Sequence, residues 1–235
     1  MFGRLFQKSK KKADDSRIAE EAPRVVEETP QTAEKNYRIV VVEEDQAKLR
    51  KNAVKFLNDH GFNKPDFTAQ EKREHQDRLR DYGVKNARLL TEELIVALAP
   101  DSYEIYGVVH LSSLGTAIDS ILTIQGESRD FKRRRIDAIL ERLLLSKLAV
   151  EPQHGGQGIG HALVEKAIEV ARDGGYKVLC GQVDTEVGDN DKLTKFYRDC
   201  GFTVDAPNRH PLEMVGFKNP LVQSPYKGNE FFLKL

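Results

Sequence analysis

Cysteine occurs only twice in the 235 residues, and two thiols at this spacing exclude both a disulfide framework and a thiolate zinc site. Cys180, in an apolar strand pattern, and Cys200, at a helix end, then read as small buried hydrophobes rather than nucleophiles. An excess charge of one sign is also missing. Lys and Arg total 37 and Asp and Glu total 37, so general nucleic-acid binding, which needs a basic excess on one face, is not expected. The cluster Lys132-Arg133-Arg134-Arg135 is local. No apolar run has the length of a membrane span or the flanks of a secretory signal, which makes the reducing cytoplasm the expected location. No two histidines show ligand spacing, so no metal site is expected.

What is present falls into two parts. Residues 1–36 are polar and charged, rich in Glu, Ala and Pro, and are expected to be a disordered N-terminal tail. Within it, Phe2, Leu5 and Phe6 adjoin a lysine run at residues 8–12. That combination suits weak contact with an anionic membrane or a protein, and equally a solvated basic end. Residues 37–235 carry the pattern of one folded domain containing both helices and strands. Tyr37–Val42 is rich in β-branched residues and predicts a first strand. Leu49, Ala53, Val54, Phe56 and Leu57 predict a helix over 46–60 that stops at Gly61. The charged segment 66–82 suits an exposed helix or a flap, and 94–98 with 103–111 a hairpin turning at Pro100-Asp101-Ser102. Residues 115–135 allow no placement from pattern alone.

The near-continuous apolar run from Leu143 to Val150 predicts a central strand. It runs into Glu151-Pro152-Gln153-His154-Gly155-Gly156-Gln157-Gly158-Ile159-Gly160-His161, after which Ile159, Leu163, Ala167 and Val170 form a helical stripe that ends at Gly174-Gly175. A glycine-rich turn opening a helix is an anion site, because the first-turn N–H groups lack intrahelical partners and sit at the positive end of the helix dipole. Spacing narrows the ligand. A dinucleotide fingerprint would need glycine at His161, or glycine or alanine at Leu163, and a P-loop would need Lys and Ser or Thr at His161 and Ala162. Tyr176–Val183 is the next strand, parallel to the previous one because a helix joins them.

Gly155-Gly156-Gln157-Gly158-Ile159-Gly160 resembles the coenzyme A loop of the GCN5-related N-acetyltransferases, with Gly155 where that family usually has Arg or Gln. Downstream, Asn190, Tyr197, Gly201 and Phe202 match the same family's helical spacing, with Leu193 replacing a common Ala, and Glu230–Leu235 is similar to its closing strand. The resemblance implies an α/β (α+β) domain of the GNAT fold, a mixed central β-sheet of about six or seven strands flanked by helices. Its two central strands are expected to splay and admit acyl-CoA. It further implies acetyl-CoA as co-substrate, bound by Leu148, Ala149, Val150, Gly155, Gly156, Gln157, Gly158, Ile159, Gly160, His161 and Asn190, with Tyr197 as the general acid for the departing thiolate. A homodimer is plausible by analogy.

The implied activity is acetyl transfer from the thioester to a primary amine of a small molecule or protein, by direct attack. A backbone N–H near Leu148 or Ala149 would polarise the carbonyl. An alkylamine with pKa near 10.4 is less than about one part in a thousand neutral at pH 7, so a base is wanted. Glu141, Asp184, Glu186 and His210 are candidates, each equally readable as a surface residue. Segments near 60–85 and 204–229 are expected to wall the acceptor cleft. Two other readings stand beside this one: a toxin-like acetyltransferase of aminoacyl-tRNA using Lys132–Arg135, and a non-catalytic acyl-CoA-binding or interaction module.

Overall fold

A computed structural model describes residues 36–62, 69–82, 92–113, 118, 121–184, 190–207 and 228–235. Expectations for the tail, for Glu186 and for His210 lie outside these residues. The unit from Lys35 to Leu235 contains strands β1 (Arg38–Val41), β2 (Glu92–Leu98), β3 (Ile105–Ser112), β4 (Arg142–Val150), β5 (Val178–Asp184), β6 (Thr203–Pro207) and β7 (Gly228–Lys234). They form one sheet in the order β1-β2-β3-β4-β5-β7-β6. β4 and β5 are parallel, and every other pair is antiparallel. The helices are α1 (Ala47–Asp59), α2 (Ala69–Asp81), α3 (Arg129–Leu140), α4 (Ile159–Asp173) and α5 (Asn190–Asp199).

Alternation along the strands divides the core between two faces. Ile95, Ala97, Val109, Leu111, Leu143, Leu145, Leu179 and Val183 turn toward the Ile159, Leu163, Val164, Ala167 and Ala171 stripe of α4. Leu94, Val96, Leu98, Val108 and Ala149 turn the other way, onto Leu49, Ala53, Phe56 and Leu57 of α1. Farther along that second face, Leu79 of α2 packs with Ile118, Ile121, Ile136 and Ile139, against which Leu144 rests. The described part of the charged segment, residues 69–82, is therefore mostly a helix with a fully buried Leu79. α3 settles the basic cluster: Ser128 caps it by accepting from the Phe131 N–H at 3.2 Å. Lys132 Nζ then donates to the Leu122 carbonyl at 3.0 Å.

Helix ends fall where glycine permits positive φ. Gly61 (φ 84°), Gly175 (φ 70°) and Gly201 (φ 88°) each follow a helix. In each case the next residue's N–H returns to the last turn: Phe62 to Leu57, Tyr176 to Ala171, and Phe202 to Tyr197, all at 3.0 Å. The Gly201-Phe202 pair is thus a helix cap whose second residue is also a core side chain, Phe202 being buried.

Candidate active site

β4 and β5 pair at three positions only: Arg142 with Val178, Leu143 with Leu179, and Leu144 with Cys180. Beyond them β4 runs on to Val150 beside β3, and β5 runs on to Asp184 beside β7. The two strands have parted, leaving an opening between them. Leu148, Ala149 and Val150 all lie on the length of β4 that pairs with β3 but lies past the β5 ladder. Gly181, the first β5 residue past the divergence, cannot carry a side chain. An added Cβ would collide with the Phe231 ring and stand 2.8 Å from the Leu145 carbonyl oxygen.

At the open end, β4 leads through a 3-10 turn (Pro152–His154) into the glycine loop. Gly156 has φ 76° and Gly158 φ 77°, conformations that cost an L side chain roughly 1–2 kcal/mol. Ala162 is the first α4 amide with a helical bond, to the Gly158 carbonyl at 3.0 Å. The Ile159, Gly160 and His161 amides precede it in the first turn, where helix geometry gives them no internal partner. No acidic residue occupies that turn. The loop, exposed from Gly155 to Gly158, therefore presents N–H groups and a positive dipole end to an anion.

The second motif adjoins the first. A Cβ on Gly160 would lie 3.3 Å from Phe196 Cε2 and 3.9 Å from Val150 Cγ2, so α5 comes close to the start of α4 and a side chain at 160 would crowd the Phe196 ring. The His161 ring meets Phe196 edge-on at 4.8 Å, and Phe196 meets Tyr197 edge-on at 5.1 Å. Tyr197 stacks on Phe231 at 3.8 Å, with Phe202 edge-on to both. Burial pushes its phenol well above the usual range near 10. Tyr197 consequently keeps its proton throughout the physiological range. Asn190 begins α5.

Several residues around the loop lacked any motif to reveal them. Tyr106 stacks on His154 at 3.7 Å, and its carbonyl accepts from the Glu151 N–H at 2.8 Å. The Tyr37 hydroxyl lies 3.8 Å from the position a Gly158 Cβ would take. Gly107 lets β3 and α4 close on one another, since a Cβ there would be 3.0 Å from both the Ala149 oxygen and Leu163 Cδ1. Among the base candidates, Glu141 is misplaced. It stands just before β4, at the joined end of the two strands, exposed and paired with Lys177. Asp184 ends β5 in register with Gly228. A lone polar residue in an apolar strand was the missed signal: His110, within Val108-Val109-His110-Leu111, is buried beside Ser146 and Glu92.

The parted strands, glycine loop and following tyrosine helix are the arrangement that the motifs implied, and residues 60–202, more than half of the chain, match the acetyltransferase (GNAT) family. The chain belongs to the GNAT family. No curated protein matches it. Among solved structures, nourseothricin acetyltransferase is similar at 21% identity and TM-score 0.39 over 61% of this chain, which spans 65% of that protein. Ribosomal-protein-alanine N-acetyltransferase from Brucella melitensis is similar at 16% identity and TM-score 0.45, over 84% of this chain and 99% of that one. A Bacillus subtilis acetyltransferase in complex with CoA is similar at 18% identity and TM-score 0.42, over 85% and 99%. The seven-stranded mixed sheet flanked by helices is the expected GNAT architecture.

Proposed function

We propose that this protein transfers the acetyl group of acetyl-CoA to a primary amine of a small molecule or protein, by direct attack of the amine on the thioester. One observation carries the reading: the parallel strands β4 and β5 part after three paired positions, and the phosphate-suited glycine loop stands at the open end of the gap. A pantetheine arm would lie between the strands as a surrogate strand, bonding to the edge of β4 beyond Leu144, while the pyrophosphate meets the amides of Gly156–His161. His154 and His161 would add donors beside it.

The chemistry assigned to the chain's own groups is modest. A backbone N–H at Leu148 or Ala149 would stabilise the oxygen that becomes negative as the C–N bond forms. Tyr197 would hold a proton for the sulfur as the C–S bond breaks. Burial makes it a weaker acid than the thiol it would form, so the proton transfer is uphill by itself and would be drawn forward by the favourable conversion of thioester to amide. The test is calorimetric titration with acetyl-CoA of the parent and of Gly158→Glu, whose carboxylate would occupy the anion site. Saturable binding by the parent alone, followed by thiol release on adding amines, is expected. Binding without transfer to any amine would favour the non-catalytic module, and no binding by the parent would overturn the cofactor reading.

A further inference from the structure

One cluster of titratable groups lies outside that machinery, on the α1 face of the sheet between its two apolar clusters. His110 of β3 and Glu92 of β2 are 4% and 7% exposed. The His110 Nδ1 stands 2.6 Å from Ser146 Oγ, and its Nε2 stands 3.9 Å from Glu92 Oε1. Ser146 owes its position to an irregularity in the ladder. His110 pairs with Lys147 and Leu111 with Leu145, so Ser146 is the extra residue of a β-bulge. It is half-buried, the most accessible member of the three, and lies two residues beyond Leu144, the last β4 residue paired with β5. The bulge thus sets a hydroxyl close to where the two strands part, on the face opposite α4. Two cations approach the seam and are otherwise engaged: Arg50 of α1 donates to the Glu92 carbonyl at 3.2 Å, and Lys147 donates to the Phe62 carbonyl at 3.1 Å.

The hydroxyl and the imidazole are close enough for one proton to move inward from Ser146 to His110, and the carboxylate, at 3.9 Å and so beyond hydrogen-bond reach, would stabilise the imidazolium by its charge. The geometry points to a Ser146–His110–Glu92 relay that removes the proton from the acceptor's ammonium group, with Ser146 touching the amine and His110 and Glu92 acting through it. This rests on the proposed acetyl transfer. The Ser146 hydroxyl donates to the His110 carbonyl at 3.1 Å and also lies 2.6 Å from Nδ1; in the relay it turns from the carbonyl to donate to Nδ1, and Nε2–H faces Glu92. The ammonium proton passes to Ser146 Oγ as the Ser146 proton passes to Nδ1, leaving a neutral amine and an imidazolium. The amine lone pair then bonds to the carbonyl carbon, and the C–S bond breaks with its electron pair on sulfur. The nitrogen sheds its surplus proton, which ends on that sulfur. His110 returns its proton to solvent through Ser146 after the amide leaves.

Two measurements on the full chain test the relay. Nitrogen-15 NMR of histidine-labelled protein, with the His110 signals identified by their loss in His110→Gln, should show Nε2 protonated and Nδ1 accepting. A proton fixed on Nδ1 instead would overturn the relay, whatever the acceptor. The second compares ethylamine with 2,2,2-trifluoroethylamine, whose fluorines leave it neutral near pH 7, as probe acceptors with acetyl-CoA. Ser146→Ala, a small change at a half-buried site, and His110→Gln should each lower kcat/KM for ethylamine by about 100-fold or more. Trifluoroethylamine transfer should fall far less, raising pH should restore ethylamine transfer, and acetyl-CoA affinity should hold within about two-fold. Equal losses on both amines, or none, would overturn the relay. A parent that binds acetyl-CoA but acetylates neither probe would overturn it while sparing the cofactor site, whereas a parent without acetyl-CoA binding would overturn the underlying reading.

Discussion

Tyr197 combines two properties that pull on its role in different directions. Its ring is one plate of an aromatic stack with Phe231, which is the work of a core residue, and its raised proton affinity keeps the hydroxyl charged with a proton. Tyr197→Phe preserves the stack and removes only the hydroxyl, so it separates the two. Turnover should fall by about ten-fold or more with acetyl-CoA affinity nearly unchanged, as steady-state kinetics and titration would show. Equal activity would leave Tyr197 a packing residue. The cysteines give a second residue-scale expectation. Burial pushes the Cys180 thiol from 9.0 up to about 12, and Cys200 up to about 11. A thiol that stays protonated in the fold but ionises in the unfolded chain makes the unfolded state bind fewer protons above pH 9, so stability falls as pH rises there. Urea unfolding at about pH 10.5 should show about 2 kcal/mol less stability than at pH 8 from Cys180 alone, a loss that Cys180→Ser or Cys180→Ala would remove. Thiol reagents at pH 8 should leave Cys180 of the native protein unlabelled.

Among the elements, what could be read before the structure was what local pattern controls. The β4 run, the α4 stripe and the glycine stops at Gly61 and Gly175 all follow from period and backbone freedom. Those signals are carried by neighbouring residues in the chain. The glycine loop was legible for the same reason, since φ above zero at 156 and 158 is a property of single residues. The relay was not. Ser146 meets His110 across a ladder whose register shifts by one residue, and nothing within residues 142–150 announces that shift. Likewise α3 has its start fixed by Ser128, but its inner face is chosen by Leu79 of α2, some fifty positions away. Close approaches are equally silent in sequence. Gly107 is the test of one: Gly107→Ala puts a methyl 3.0 Å from both the Ala149 carbonyl and Leu163. It should cost about 1–3 kcal/mol, read as a lower denaturation midpoint, with acetyl-CoA affinity reduced because α4 and its loop are displaced.

For the whole molecule, equal numbers of basic and acidic side chains leave little long-range attraction for a polyanion, so in the proposed reading recognition of acetyl-CoA would fall to the aimed amides of the loop rather than to a general field. Salt should accordingly alter that affinity only weakly, in contrast to a surface that binds phosphates through lysines. Ligand binding should also raise thermal stability. At a concentration about 100 times Kd the gain is about 2.7 kcal/mol, equivalent to a rise in Tm of roughly 5–10 °C for a domain of this size. Scanning calorimetry with and without acetyl-CoA measures it, and a Tm unmoved by saturating ligand would count against the site between β4 and β5.

The early parting of β4 and β5 also bears on how long the protein survives. A sheet joined across its middle by three residue pairs has a seam where its two halves can come apart before either half unravels. Whatever molecule fills the gap closes that seam. In a cell, proteases that wait for such openings would then degrade the chain faster when its ligand is scarce, so the amount of protein, and not only its rate of turnover, would follow the supply of the molecule it holds.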